Sequence, residues 1–319
     1  VVLATFLFVR GVTTTRCALL SALILATSFE FLLMTHMGIT DIVLTFFLGS
    51  SLFCFFHALN GTRSARSWPL AGWALAAGAV LTKGPVGLVL TLFPVALYGV
   101  ISGRARELAP RLALGTGIVL FCVLTFPWYI AATLLTRGEF LEVFLWKHNV
   151  MRYLEVSSGH RGPWYYYVIV AAIGFSPWSA FLPGVLYGAW TTLRDRMRND
   201  PDRPLLLFVL AWVFSVFVFF SLSRTKLPSY ILPLFPALAI LSGWWWNRVL
   251  AHGATEKSLR YCTALGGIFS LIYLVVLLAS PLVLTYVKTF PQVTPYFAEP
   301  LELQPGLTFV AVGAAATAA

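Results

Sequence analysis

The stretch SLSRTKLPSYILPLFPALAIL, Ser221 to Leu241, sets Arg224 and Lys226 between two apolar runs and follows them with Pro228, Pro233 and Pro236. Fixed charge is expensive inside hydrocarbon, and proline removes a backbone donor while restricting φ. Cations and helix breakers therefore belong together at a membrane surface, between two spans. The rest of the chain agrees. Of 319 residues, 59% are hydrophobic and 11% charged, against about 25% charged in a soluble domain, and the mean hydropathy is +0.84. Apolar runs about long enough to cross a hydrocarbon core of roughly 30 Å recur from end to end. The expectation is an all-α, multi-spanning integral membrane protein. Its candidate spans are 1–9, 17–34, 42–59, 68–81, 86–102, 112–134, 166–190, 205–222, 230–247, 261–284 and 306–319.

No repeat and no low-complexity linker divides the sequence, so 1–319 reads as a single transmembrane domain. It opens VVLATFLFVRG and closes VAVGAAATAA, both within apolar segments, and is expected to be a fragment. Cys17, Cys54, Cys122 and Cys262 lie in apolar runs, with neither a CxxC pair nor a histidine at ligand spacing, and read as small buried side chains.

Lysine and arginine orient the chain, because short cytoplasmic loops hold the positive excess. RGVTTTR, NGTRSARS, GRARELAPR, RDRMRNDPDR and NRVLAHGATEKSLR fall in one set of alternate loops, which is read as the inside. The other set should be poor in cations, yet it holds Lys83, Arg137, Lys147, Arg152, Arg161, Arg224, Lys226 and Lys288. Cations kept against the bias call for a local reason. An anionic ligand at the membrane surface is one, and snorkelling at helix ends is the other.

Three outward motifs carry the candidates. In AVLTKGPVGLVLTLF, Lys83 stands at a Gly-Pro break, where it can meet a phosphate or carboxylate or simply anchor a helix end. In FLEVFLWKHNVMRYLEVSSGHRGPWYYYVIV, His148, Asn149 and Arg152 fall within about one helical turn, and His160 follows before the aromatic run. Arg152 could clamp a phosphate in two-pronged fashion, although His, Asn and Arg could also bond to one another and fold the loop. His148 and His160, with Glu142 and Glu155 nearby, permit a divalent metal without predicting one. In LLMTHMGITDIVLTFFLG, Asp41 lies at an outer mouth and needs either a cation, with Lys83 the nearest outward one in sequence, or a chemical task. Glu30 lies deeper and calls for a buried hydrogen bond or a partner such as His36. Arg224 and Lys226, with Tyr230 behind them, could seat a phosphate head group or line a plain re-entrant turn.

LTKGPVGLVL, then KHNVMRY followed by HRGPWYYY, then SRTKLPSYILPLFPALAIL resemble, in order and interval, the bacterial polyprenyl-phosphate-sugar-dependent glycosyltransferases. These include the aminoarabinose transferases of lipid A and the protein O-mannosyltransferases. The resemblance covers roughly Thr35 to Leu241. It implies a GT-C helix bundle in the bacterial inner membrane, with a periplasmic active site that takes a sugar from undecaprenyl phosphate and passes it to lipid A, another glycan or a protein. It also implies a catalytic role for Asp41, and donor binding by Lys83, His148, Asn149, Arg152, His160, Arg224, Lys226 and Tyr230. The principal catalytic aspartate of such enzymes is expected ahead of this stretch. No cofactor is required by the sequence, and no nucleic-acid partner is expected. The competing reading is a transporter or flippase for an anionic lipid-linked solute. It is disfavoured because the two halves show no kinship and the cations gather on one side rather than at midplane.

Overall fold

The structure, a computed structural model, describes residues 1–61, 67–144, 162–194 and 200–252, with 264 and 268 as isolated positions. Val1–Ala254 form one compact unit. Thr255–Ala319 form a second, and the spans expected at 261–284 and 306–319 fall there, outside the described residues but for those two positions.

The described chain is helical. The helices are α1 (Val2–Val12), α2 (Thr15–Ala26), α3 (Phe29–His36), α4 (Thr40–Asn60), α5 (Ser67–Lys83), α6 (Val86–Ile101) and α7 (Ala105–Leu108), the last running into a 3-10 turn at Ala109–Leu112. After these come α8 (Leu114–Leu135), α9 (Tyr166–Gly174), α10 (Leu182–Arg194), α11 (Arg203–Leu222) and α12 (Phe235–His252). Helices α4, α8 and α11 are each long and apolar enough to cross a bilayer.

Two expected spans are broken rather than straight. The run 17–34 divides at Thr27–Ser28 into α2 and α3, which meet at 62°, and 166–190 divides at 175–177, with a 112° bend between α9 and the helical stretch Trp178–Arg194. Free backbone groups cannot be left to lipid, and the two breaks supply each other. The Phe29 amide donates to the Ser176 carbonyl at 3.0 Å, and the Trp178 indole donates to Thr27 Oγ1 at 2.8 Å. Ser28 turns its hydroxyl back to Ile24 O. The span expected at 230–247 also starts differently: Pro228–Leu234 form a 3-10 turn, and regular helix begins at Phe235. Prolines at 228 and 233 withhold two backbone donors, which delays the α-helical ladder.

Helix α12 is the buried axis, packed on α2 and α11, while α4 lies along α5. Aromatic rings fill the middle: Phe8 stacks on Phe53 at 4.2 Å, and Phe53 and Phe56 meet Trp212 and Phe208 edge-on. Across α4 and α5 the buried Ser51 hydroxyl donates to Gly72 O at 2.7 Å. Val119, Val123, Phe126 and Trp128 are exposed along α8.

Polar groups collect at the two ends. At one, Arg111 donates to Leu59 O and Gly61 O at the end of α4, Tyr98 bonds Asn60, Trp244 donates to Asp202, and Arg248 pairs with Asp200. The opposite ends of α4 and α5 carry Asp41 and Lys83.

Candidate functional site

Helix α5 stops at Lys83 because Gly84 takes φ +82°, a left-handed conformation that glycine adopts without steric cost, and its amide donates back to Val80 O at 2.7 Å. The lysine thus stands at a helix C-terminus, which favours a cation. Pro85 leads into α6, and at Gly87 the two helices nearly touch: a Cβ there would lie 2.6 Å from the Ala79 carbonyl carbon. This tight hairpin fixes where the lysine stem begins.

From that point the Lys83 ammonium forms an ion pair with the Asp41 carboxylate in the first turn of α4 and lies over the Tyr230 ring, 4.6 Å from its centroid. Asp41 is 7% exposed, so its charge is compensated locally rather than by water. The residues of the opening motif and of the Asp41 and Lys83 motifs, far apart in sequence, share one contact.

A second cation lies beside them. Lys226 folds back on α11, donating to Ser221 O at 2.8 Å and Phe220 O at 3.4 Å, and its ammonium lies 5.2 Å from the centre of the Tyr167 ring. It therefore caps the last carbonyls of α11 while lying 6% exposed, and this burial lowers its pKa below the ordinary lysine value. Tyr167 is locked in turn, its hydroxyl donating to Leu227 O at 3.2 Å. Gly162 is needed for this fit, because a Cβ would come within 2.8 Å of the Lys226 stem. Arg224, by contrast, is exposed. It lines, with Lys226, Gly162, Trp164, Ser221, Leu222 and Ser223, a recess of about 400 Å³.

Phe220 joins the two halves. Its ring lies 5.5 Å from Tyr230 and 6.2 Å from Tyr167, so each cation–tyrosine pair has the same phenyl group as its wall. Of the candidates, then, Asp41, Lys83 and Tyr230 come together, and Arg224 and Lys226 share the recess next to them. His148, Asn149, Arg152 and His160 lie outside the described residues.

The sequence reading passed over Tyr167 and Phe220, which lie in the aromatic run and in an apolar span. Fully buried Tyr167 beside exposed Tyr165 shows that one tyrosine of the run turns inward. Glu30 forms no bond with His36: the imidazole Nδ1 is paired with Leu32 O, and both Glu30 oxygens are buried without a hydrogen-bond partner among the described residues. Both residues lie on α3, and a spacing of six places their side chains about 240° apart around the helix, on different faces. Among the described residues no three His, Cys, Asp or Glu side chains gather as metal ligands.

The Asp41–Lys83 pair, linked through Tyr230 and Phe220 to a recess that holds Lys226 and the exposed Arg224, is suited to a ligand with a phosphate and a hydroxyl to be deprotonated. Known proteins point the same way. Residues 1–130 match the family described as dolichyl-phosphate-mannose-protein mannosyltransferase. An uncharacterized protein of Aquifex aeolicus is 31% identical over 312 residues, 94% of this chain and 57% of that one. The undecaprenyl phosphate-alpha-4-amino-4-deoxy-L-arabinose arabinosyl transferase of Pectobacterium atrosepticum is 31% identical over 80% of this chain and 44% of its own length. The crystal structure of ArnT from Cupriavidus metallidurans bound to undecaprenyl phosphate matches with a TM-score of 0.72 at 28% identity, covering 91% of this chain and 49% of that one. This chain spans about half the length of these relatives.

Proposed function

We propose that this chain is an aminoarabinose-transferase-like GT-C membrane protein that transfers a sugar from undecaprenyl phosphate to lipid A. The fold in this reading is one transmembrane domain in the bacterial inner membrane, with the Asp41–Lys83 end facing the periplasm. The observation that carries the reading is the Lys83 ammonium held between the Asp41 carboxylate and the Tyr230 ring, beside a recess with two further cations.

In the reaction the acceptor oxygen forms a bond to C1 of the sugar, and the bond from C1 to the phosphate oxygen breaks. The electron pair leaves with the lipid phosphate, and the acceptor proton passes to a carboxylate. The carbon is oxocarbenium-like in between. Lys83, Arg224 and Lys226 stabilise the charge that grows on the phosphate, where fixed donors contribute most. Asp41 supplies a carboxylate beside the reacting carbon, and Tyr230 holds the lysine stem under the phosphate. His148, Asn149, Arg152 and His160 complete the donor seat in this proposal.

The test is transfer of radiolabelled sugar from synthetic undecaprenyl-phosphate sugars by the purified full-length protein, with lipid A and peptides as acceptors. Labelled lipid A is the expected product. Binding of the lipid phosphate with no transfer from any donor would instead favour a transporter or flippase.

A further inference from the structure

The reaction proposed above requires a free cation for the phosphate and a free carboxylate near the reacting carbon, yet Lys83 and Asp41 are joined to each other. Each neutralises the charge the other needs. We propose that this ion pair is a latch: the donor's phosphate draws Lys83 away from Asp41, so that the carboxylate becomes unpaired only when a donor is in place. The inference rests on the reading of the site as a seat for a lipid phosphate.

Three features support the exchange. The backbone at Lys83 is fixed by the Gly84 turn and the Gly87–Ala79 contact, so the change of partner falls to the flexible four-carbon stem, and a lysine ammonium is a point charge that can change partners without a set geometry. Tyr230 offers its ring face to the ammonium, a contact that survives a short swing. The Lys83 side chain is 25% exposed against 10% for Asp41, so the cation is the partner that incoming phosphate can reach.

The energetics favour exchange late in the reaction. A sugar phosphodiester carries a single negative charge, whereas the departing phosphate monoester approaches two. Lys83 is therefore drawn from Asp41 most strongly as the bond from C1 breaks, which is an interaction stronger in the transition state than in the ground state. The acceptor proton then neutralises Asp41, and the lysine stays with the phosphate until that proton leaves.

The latch makes a prediction opposite in sign to that of a simple binding site. Removing Asp41 should tighten the binding of undecaprenyl phosphate while depressing transfer. We expect Asp41→Asn in the full-length protein to bind undecaprenyl phosphate about three- to tenfold more tightly than the native protein, the range of a partly buried ion pair. In a Lys83→Met background the same substitution should change affinity by less than about twofold. Asp41→Ser, which also removes the charge, gives the same comparison if the asparagine variant extracts poorly from membranes. Unchanged or weaker binding by both Asp41 variants overturns the latch. So does equal tightening with and without Lys83, which would make Asp41 a through-space repeller of the phosphate. Failure of the native protein to bind undecaprenyl phosphate at all would remove the functional reading itself.

Discussion

Lys83 and Lys226 bring the same ammonium to the site in different electrostatic settings. Lys83 has a carboxylate partner, whereas Lys226 meets helix carbonyls and a tyrosine ring, and burial lowers its pKa. The ammonium is present below that lowered pKa and is lost as pH climbs through it. Donor KM should therefore rise on the alkaline side at a lower pH than an ordinary lysine would give. Lys226→Arg, charged throughout, should flatten that limb; a steady-state profile of donor KM against pH checks this. Folding stability runs the opposite way, increasing with pH between the lowered value and the ordinary one, because the unfolded chain then binds more protons. At Asp41 the expectation concerns turnover. Asp41→Asn should lower kcat by about 10²- to 10⁴-fold if the carboxylate takes the acceptor proton, and single-turnover transfer separates that loss from donor binding. Residue types were enough to single out Asp41, Lys83, Arg224, Lys226 and Tyr230, since charge beside an apolar run needs a reason. Which charge meets which was not legible, because the pairs join residues from separate helices.

Among the elements, the hairpin of α5 and α6 matters most, since it sets the root of the Lys83 stem. Gly87→Ala would drive a methyl into the Ala79 backbone, which cannot yield as a side-chain tip can. A loss of about 1–3 kcal/mol is expected, the usual cost of overpacking, with a fall in transfer as Lys83 shifts; thermal unfolding in detergent and the transfer assay measure the two. The sequence marked this hairpin through Lys-Gly-Pro. It also marked Pro228 and Pro233, but as a bend rather than as the 3-10 turn that forms. The breaks within 17–34 and 166–190 were missed although Thr27–Ser28 and Ser176–Pro177 stand at them, because such short polar or proline steps also occur inside continuous apolar spans. What permits them is the partner break across the bundle, where Phe29 meets Ser176 and Trp178 meets Thr27.

For the whole molecule, the cations at the two ends are used differently. Arg111, Arg104 and Arg248 are engaged by carbonyls at the end of α4 or by nearby carboxylates, whereas Arg224 is left open to the recess. If the first end faces the cytoplasm, Thr40→Cys in a cysteine-free background should react with a membrane-impermeant maleimide in spheroplasts, and Ala105→Cys only after permeabilisation. The reverse pattern would invert the orientation and place the site on the wrong side for a periplasmic acceptor.

The sequence by itself determined that this is a helical membrane protein, which loops hold the cationic excess, and which outward residues carry charge against that bias. Those properties depend on composition and on spacing along one chain, and the cost of placing charge or free backbone in hydrocarbon makes them readable. Only the tertiary structure decided that Asp41 takes Lys83, that Lys226 caps α11 beneath Tyr167, and that Phe220 joins the two halves. These are contacts between helices whose mutual rotation is set by packing of the whole bundle, and no local pattern in the chain encodes that rotation.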